Sequence, residues 1–212
     1  MATADPRRWL PNAFIQAVAY LGDTIVPDAD RPYQLDSLDC TGPLDQQVAD
    51  GCRFVFRNMR TAAFKHMGRR DVPQFDLEAV FEALVNAVAH RDYSIHGSKI
   101  RLRMFSDRLE VYSPGSLTST MGVEGLAYRQ AARNETVTSL LAKCPIRDLD
   151  WVKTSRRTMM DRRGEGVRII LEYSEELSGR RPEYRLVDDA ELILTIWAAS
   201  PESAAHAGTG LE

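Results

Sequence analysis

The stretch Phe75–Arg91, FDLEAVFEALVNAVAHR, constrains this chain more than any other. Leu77, Val80, Phe81, Leu84, Val85 and Val88 recur at intervals of three and four, the period of a helix with one face in a core. Asp76 stands where an N-cap belongs, and Pro73 lies just outside. Glu82 and Asn86 are four residues apart, which puts them on one face a turn apart, near the edge of the apolar stripe. There a carboxylate and an amide can point together into a cleft. The plainer reading is a core helix with polar residues on its wet side, and the segments downstream weigh against it.

A length of 212 residues suits one large domain, or one domain with an appendage. Hydrophobic residues make up 44%, enough to fill a core, which excludes the disordered class. The net charge of -3 argues against a generally basic nucleic-acid binder and leaves only local patches open. Cys40, Cys52 and Cys144 are odd in number and far apart, which fits reduced thiols in a cytosolic protein better than a disulfide framework. No CxxC pair points to zinc. No stretch has the length of a membrane span or the form of a secretory signal, so the expected location is cytoplasmic, with no membrane partner.

Along the chain, residues 13–21 are apolar enough for a buried strand or a short helix, and 33–40 for a short strand. Pro27–Pro32 is turn-rich. Helical spacing from Leu44 to Ala62 predicts a helix over 44–65, weakened in its middle by Gly51, and Gly68–Pro73 reads as a linker. After the central helix, Ile100, Leu102 and Met104 alternate with basic residues, and Leu109–Tyr112 forms the return strand of a hairpin. Ser113-Pro114-Gly115 stops that strand. A short helix over 135–143 is expected with Asn134 as its cap. Gly164-Glu165-Gly166 opens another helix, ended by Gly179 and Pro182. Two strands, 183–187 and 191–197, follow across an Asp188-Asp189 turn. This order predicts an α+β fold: a two-layer α/β sandwich with helices packed on one face of a mixed, mostly antiparallel sheet.

Three segments carry candidate chemistry. They are Glu82-x-x-x-Asn86, Ser113-Pro114-Gly115, and Gly164-Glu165-Gly166. Glycines at a helix start bare backbone N–H groups and the positive end of the dipole, which suits phosphate. An Asn oxygen can help hold hydrated Mg²⁺, and a nearby Glu can activate water against a terminal phosphate. His90-Arg91-Asp92 has the form of a kinase catalytic triplet, but Gly97 stands where that loop needs Asn. Its expected role is structural, with Arg91 and Asp92 fastening the helix end to the hairpin. His90 and His96 lack an evident third metal ligand.

The run Glu82-Ala-Leu-Val-Asn-Ala-Val-Ala-His-Arg-Asp-Tyr93, then DRLEVYSPG, Arg133-Asn134 and a late GxG, resembles a GHKL-type (Bergerat-fold) ATPase-like domain. This is the domain found in RecG-related bacterial transcriptional regulators, where it follows an AlbA-like (Schlafen-type) domain. The resemblance divides the chain into four parts. Residues 1–43 are a remnant of that preceding domain or an N-terminal extension, 44–74 a connecting helix and linker, 75–198 the ATPase-like domain, and 199–212 a disordered tail closing on a Leu-Glu cloning scar. It implies ATP and Mg²⁺ as cofactors, with Glu82 as general base and Asn86 holding the metal. It places Gly115 in a first glycine box. Gly164 and Gly166, with Arg163 beside them, form a second, after a lid spanning 116–163. Ser113 or a near neighbour stands where the superfamily has an adenine-binding aspartate, so that hydrogen bond would lack a carboxylate's strength.

The function expected is an ATP-binding module of a transcriptional regulator with Mg-dependent ATP hydrolysis. The alternative is a degenerate, non-catalytic scaffold for dimerisation or DNA association. Ser113 motivates it, as does the basic segment 153–168, whose Arg156, Arg157, Arg162 and Arg163 would meet DNA phosphates. The expected partners are nucleotide, DNA and a second copy of the chain.

Overall fold

The computed structural model describes residues 4–25, 33–64, 70–117, 122–126, 128, 132–154, 156–161 and 164–199. Arg162 and Arg163 of the expected basic patch lie outside the described residues, as do the turn-rich segment 27–32 and residues 200–212 of the expected tail.

The apolar stretch near the N-terminus forms a strand, β1 (Ile15–Tyr20), followed by β2 (Gln34–Cys40). Alternation is visible in β1, where Ile15, Ala17 and Ala19 are buried and the residues between them only partly so. Helix α1 (Leu44–Asn58) is shorter than its periodicity predicts. Met59 is already extended, and Thr61–Phe64 (β3) pairs antiparallel with Arg70–Pro73 (β4) in a separate two-stranded sheet. The apolar spacing of α1 runs on into Met59 and Ala62, but Met59 caps the helix and cross-strand pairing with Val72 takes Ala62. The expected linker is therefore half strand.

The central helix α2 (Leu77–His90) begins as its sequence predicts, with the Asp76 carboxylate accepting from the Ala79 N–H at 2.8 Å. Strands β5 (Ile100–Met104) and β6 (Arg108–Pro114) form the hairpin. Helix α3 (Glu135–Leu141) follows, then α4 (Gly166–Ser178), closed by Gly179 in the left-handed region at φ +72°. Strands β7 (Glu183–Val187) and β8 (Glu191–Trp197) end the fold. Their turn residues Asp188 and Asp189 both have φ +50°, the hand that suits a tight hairpin.

The main sheet runs β2-β1-β5-β6-β8-β7. Only β1 and β5 are parallel, with Ile15 opposite Ile100, and every other neighbour pair is antiparallel. Residues 15–40 thus supply two strands to the sheet that the rest of the chain builds. The buried alternates Ile100, Leu102, Met104, Leu109 and Val111 share one core with Val80, Phe81, Leu84, Val85 and Val88 of α2. The fold is α+β, a mixed sheet of six strands and four helices among the described residues. Gly51 lets α1 approach α2 closely, since a Cβ there would sit 2.8 Å from Leu84 Cδ1.

One capping expectation is corrected. Asn134 precedes α3 but makes no side-chain bond to it. Its amide instead donates to the carbonyls of Ala89 (2.9 Å) and Arg91 (2.8 Å), at the C-terminal end of α2. The last carbonyls of a helix lack intrahelical partners, and a side-chain NH₂ with two donors serves two of them at once. The expected fastening by Arg91 and Asp92 is present. The Asp92 N–H donates to Pro114 O at 2.7 Å, and Arg91 Nη2 donates to the carbonyls of Ile95 and Ser98.

Candidate functional site

The C-terminal half of α2, the end of β6 and the start of α4 converge on one cavity of about 580 Å³. Its lining includes Glu82 and Asn86 from α2, Ser113 and Gly115 from β6, and Gly164 and Gly166 from the loop into α4. The three sequence segments with candidate chemistry therefore border the same hollow. Contact is closest at Gly166. A Cβ there would lie 2.7 Å from Glu82 Oε2 and 3.2 Å from Asn86 Nδ2, closer than real side chains pack, so only glycine leaves both groups in place.

Gly115 has the same kind of requirement. Its φ is +122°, and a Cβ would meet Asp92 Cβ at 2.8 Å. The Gly115 N–H donates to Ala190 O at 2.7 Å, which ties the strand end to the β7–β8 turn. Behind it, Arg133 pairs with Asp92 (Nη1 to Oδ2, 3.0 Å) and also donates to the Ser116 carbonyl. Arg133 and Asp92 are structural supports of this wall that sequence reasoning did not place at the site. Arg133-Asn134 stood out only as a dipeptide of the resemblance. The Ser113 hydroxyl donates to Ala87 O at 3.3 Å, so its proton is spent on the helix.

Electrostatics single out Glu82. Its side chain is 1% exposed, and burial pushes its carboxyl up to about 7, against the pull of Arg156. Arg156 Nη1 lies 2.7 Å from Glu82 Oε1 in an ion pair, with the arginine side chain only 9% exposed. Arg156 is thus turned inward onto the helix carboxylate. Its neighbour Arg157 is exposed. Nothing in the sequence pattern separates the two, because the segment has no periodicity to assign faces.

Arg156 is held in place by its own segment. Leu149, Val152 and Met159 are buried in the core. The Met159 N–H donates to Cys144 O (2.8 Å), and the Ile146 N–H to Arg157 O (3.1 Å), closing the loop between them. Trp151 lies against Phe56 of α1, with ring centroids 4.7 Å apart. These anchors fall in the stretch the resemblance assigns to a lid.

Two buried donors on residues that line the cavity have no partner among the described residues: Asn86 Nδ2 and Arg156 Nη2. The N-terminus of α4 is likewise uncapped by any side chain. An unsatisfied buried donor costs about 1–3 kcal/mol, so two of them beside a bare helix start form a place shaped for an anion. Among the described residues no group of three His, Cys, Asp or Glu could hold a metal by itself. The oxygen donors of the lining near Gly166 include Asn86 Oδ1 and the carboxylates of Glu82 and Asp161. That set fits Mg²⁺ only when phosphate and water complete the shell, which is how this ion usually binds.

Residues 97–196 match a family model described as "Putative ATP-dependent DNA helicase recG C-terminal". The matched segment holds Ser113, Gly115, Arg156, Gly164 and Gly166, and begins after Glu82 and Asn86. No curated protein matches the chain. Among solved structures, the crystal structure of the DIP2311 protein from Corynebacterium diphtheriae is similar, with a TM-score of 0.67 at 20% sequence identity. That similarity covers 92% of this chain and 37% of the other, so this chain spans little over a third of that protein's length. At such identity the likeness is one of fold. The match over residues 97–196 supports a GHKL-like, ATPase-type domain related to the C-terminal region of RecG.

Proposed function

We propose that the cavity binds ATP, with its phosphates at the start of α4 and Glu82 placed to activate water against the terminal phosphate. The observation that carries this reading is the pair of unpartnered buried donors, Asn86 Nδ2 and Arg156 Nη2, beside the uncapped helix and Gly166. Gly164 and Gly166 give the phosphates access to backbone N–H groups. Asn86 would turn its amide oxygen to Mg²⁺, which neutralises phosphate charge when bound. Val111, Leu126, Val167 and Leu192 supply apolar wall for the base. In hydrolysis, Glu82 takes a proton from water, the water oxygen bonds to the γ-phosphorus, and the bond to the β,γ-bridging oxygen breaks, giving ADP and phosphate. A carboxyl near 7 is matched to that work, because it is both partly ionised and basic at neutral pH.

Calorimetry with a non-hydrolysable ATP analogue and Mg²⁺ tests binding. Saturable heat below millimolar ligand is expected, and a folded sample giving none discards the reading. Where hydrolysis occurs, its rate should climb as pH rises through about 7 and vanish in Glu82→Gln.

A second reading is a non-catalytic, DNA-associated or dimerising part of a transcriptional regulator. Ser113 favours it, since it offers the adenine amine a neutral hydroxyl oxygen and not a carboxylate. Of the four arginines expected to meet DNA, the exposed Arg157 is then the described one that would do so. Salt-sensitive DNA retention lost in Arg157→Ala, with no nucleotide heat, would favour this alternative.

A further inference from the structure

In this structure one oxygen of the carboxylate expected to act on water is turned to a guanidinium, with Arg156 Nη1 2.7 Å from Glu82 Oε1 in a charge contact that is not a regular hydrogen bond. Oε1 faces the guanidinium, so the pair must open before water can reach that oxygen. Arg156 has what a release mechanism needs. Its other terminal nitrogen, Nη2, is buried without a partner among the described residues and lines the same cavity as Asn86, Gly164 and Gly166. The backbone on either side is anchored by Val152 and Met159 in the core, so the guanidinium can be re-aimed by side-chain rotation while its loop stays seated.

We propose that Arg156 is a phosphate-triggered gate on Glu82. Its guanidinium holds the carboxylate until the terminal phosphate of a nucleoside triphosphate draws it away and leaves the carboxylate to face water. The proposal rests on the nucleotide reading above and adds to it a sensor for the third phosphate. A terminal phosphate carries more charge than a carboxylate and accepts an arginine fork through two oxygens. A diphosphate lacks that group, so Glu82 keeps its partner and the base stays blocked. Idle attack on water is thereby suppressed until the right ligand is present. The remaining charged groups lining the cavity, Asp161, His90 and Arg133, are present in both states.

The test compares ADP with a non-hydrolysable ATP analogue, both with Mg²⁺, by calorimetry on the full chain. The wild type should favour the analogue by roughly 10- to 100-fold, the value of one charge-assisted contact. Arg156→Ala should weaken the analogue alone, bringing the two affinities within about 3-fold, and Arg156→Lys should restore part of the gap. Glu82→Gln removes the carboxylate that competes for the arginine, so it should widen the preference for the analogue over ADP, by roughly 10-fold relative to wild type. Arg156→Ala weakening both ligands equally, or leaving the ratio untouched, overturns the gate and spares the nucleotide reading. A narrower preference for the analogue in Glu82→Gln than in wild type does the same. A wild type that binds neither ligand overturns the nucleotide reading and the gate together. Should Arg156→Ala not fold, Arg156→Lys and Glu82→Gln carry the comparison.

Discussion

At the scale of single residues, the site depends on a carboxylate held where water cannot stabilise it. Glu82 ionises near 7 in the fold, against an ordinary value of 4.5, because burial outweighs the nearby guanidinium. The folded state therefore binds the Glu82 proton more tightly than the unfolded chain does. This contribution to stability is fully present below pH 4.5 and is lost as pH rises through about 7. Glu82→Gln has no proton to lose, so its stability relative to wild type should grow between pH 4.5 and 8, by on the order of 2 kcal/mol. Urea melts of both proteins across that range would measure it, and a difference independent of pH would show that the carboxylate is not perturbed. Gly166 makes a second case. Alanine suits a helix start by propensity, yet its Cβ would stand 2.7 Å from Glu82 Oε2. Gly166→Ala should cost ~1–2 kcal/mol of stability and weaken nucleotide binding at least about 10-fold. Gly97→Ala is the control, because nothing lies within 4 Å of a Cβ there. Equal behaviour of the two variants in melting and calorimetry would remove Gly166 from the site.

At the scale of elements, helix ends decide the geometry, and they divide what the sequence reveals from what it hides. The start of α2 was legible because an N-cap is a local device: Asp76 reaches Ala79, three residues on. The end of α2 was not, because its capping group arrives from more than forty residues away in Asn134. The same asymmetry separates Gly166, placed by its position before an apolar run, from Arg156, whose aim depends on a tertiary partner. The two possible jobs of Asn134 make opposite predictions. As an N-cap of α3, Asn134→Asp would be neutral or better, since aspartate caps as well as asparagine. As a clamp on two carbonyl oxygens, it would put a negative charge against two acceptors. Asn134→Asp should therefore destabilise more than Asn134→Ala, which itself should cost ~1–3 kcal/mol by leaving those carbonyls unpaired. Chemical denaturation of the two variants at neutral pH checks the order, and the reverse order would return Asn134 to α3.

At the scale of the whole molecule, the two antiparallel hairpins, β5–β6 and β7–β8, followed from alternation and short turns. The parallel pairing of β1 with β5 did not, because a strand's pattern says which face is buried and not which strand lies beside it. That pairing changes where the fold can be cut. A boundary near residue 43 follows from reading the early segment as an appendage, yet β1 lies between β2 and β5, and Phe14, Ile15, Ala17, Ala19 and Cys40 are buried. Burial of a large apolar side chain contributes ~1.5–3 kcal/mol, and a whole domain is stable by only ~5–15 kcal/mol. Removing residues 1–43 would also leave β5 with an open edge that is flat and apolar on one face, a template for association. A chain beginning at residue 44 should therefore show no cooperative thermal transition by circular dichroism and should aggregate on concentration. If instead it melts sharply, with dispersed amide resonances like those of the full chain, the two early strands are an addition to a fold that stands without them. The cavity beside α2 could then be studied in the shorter protein.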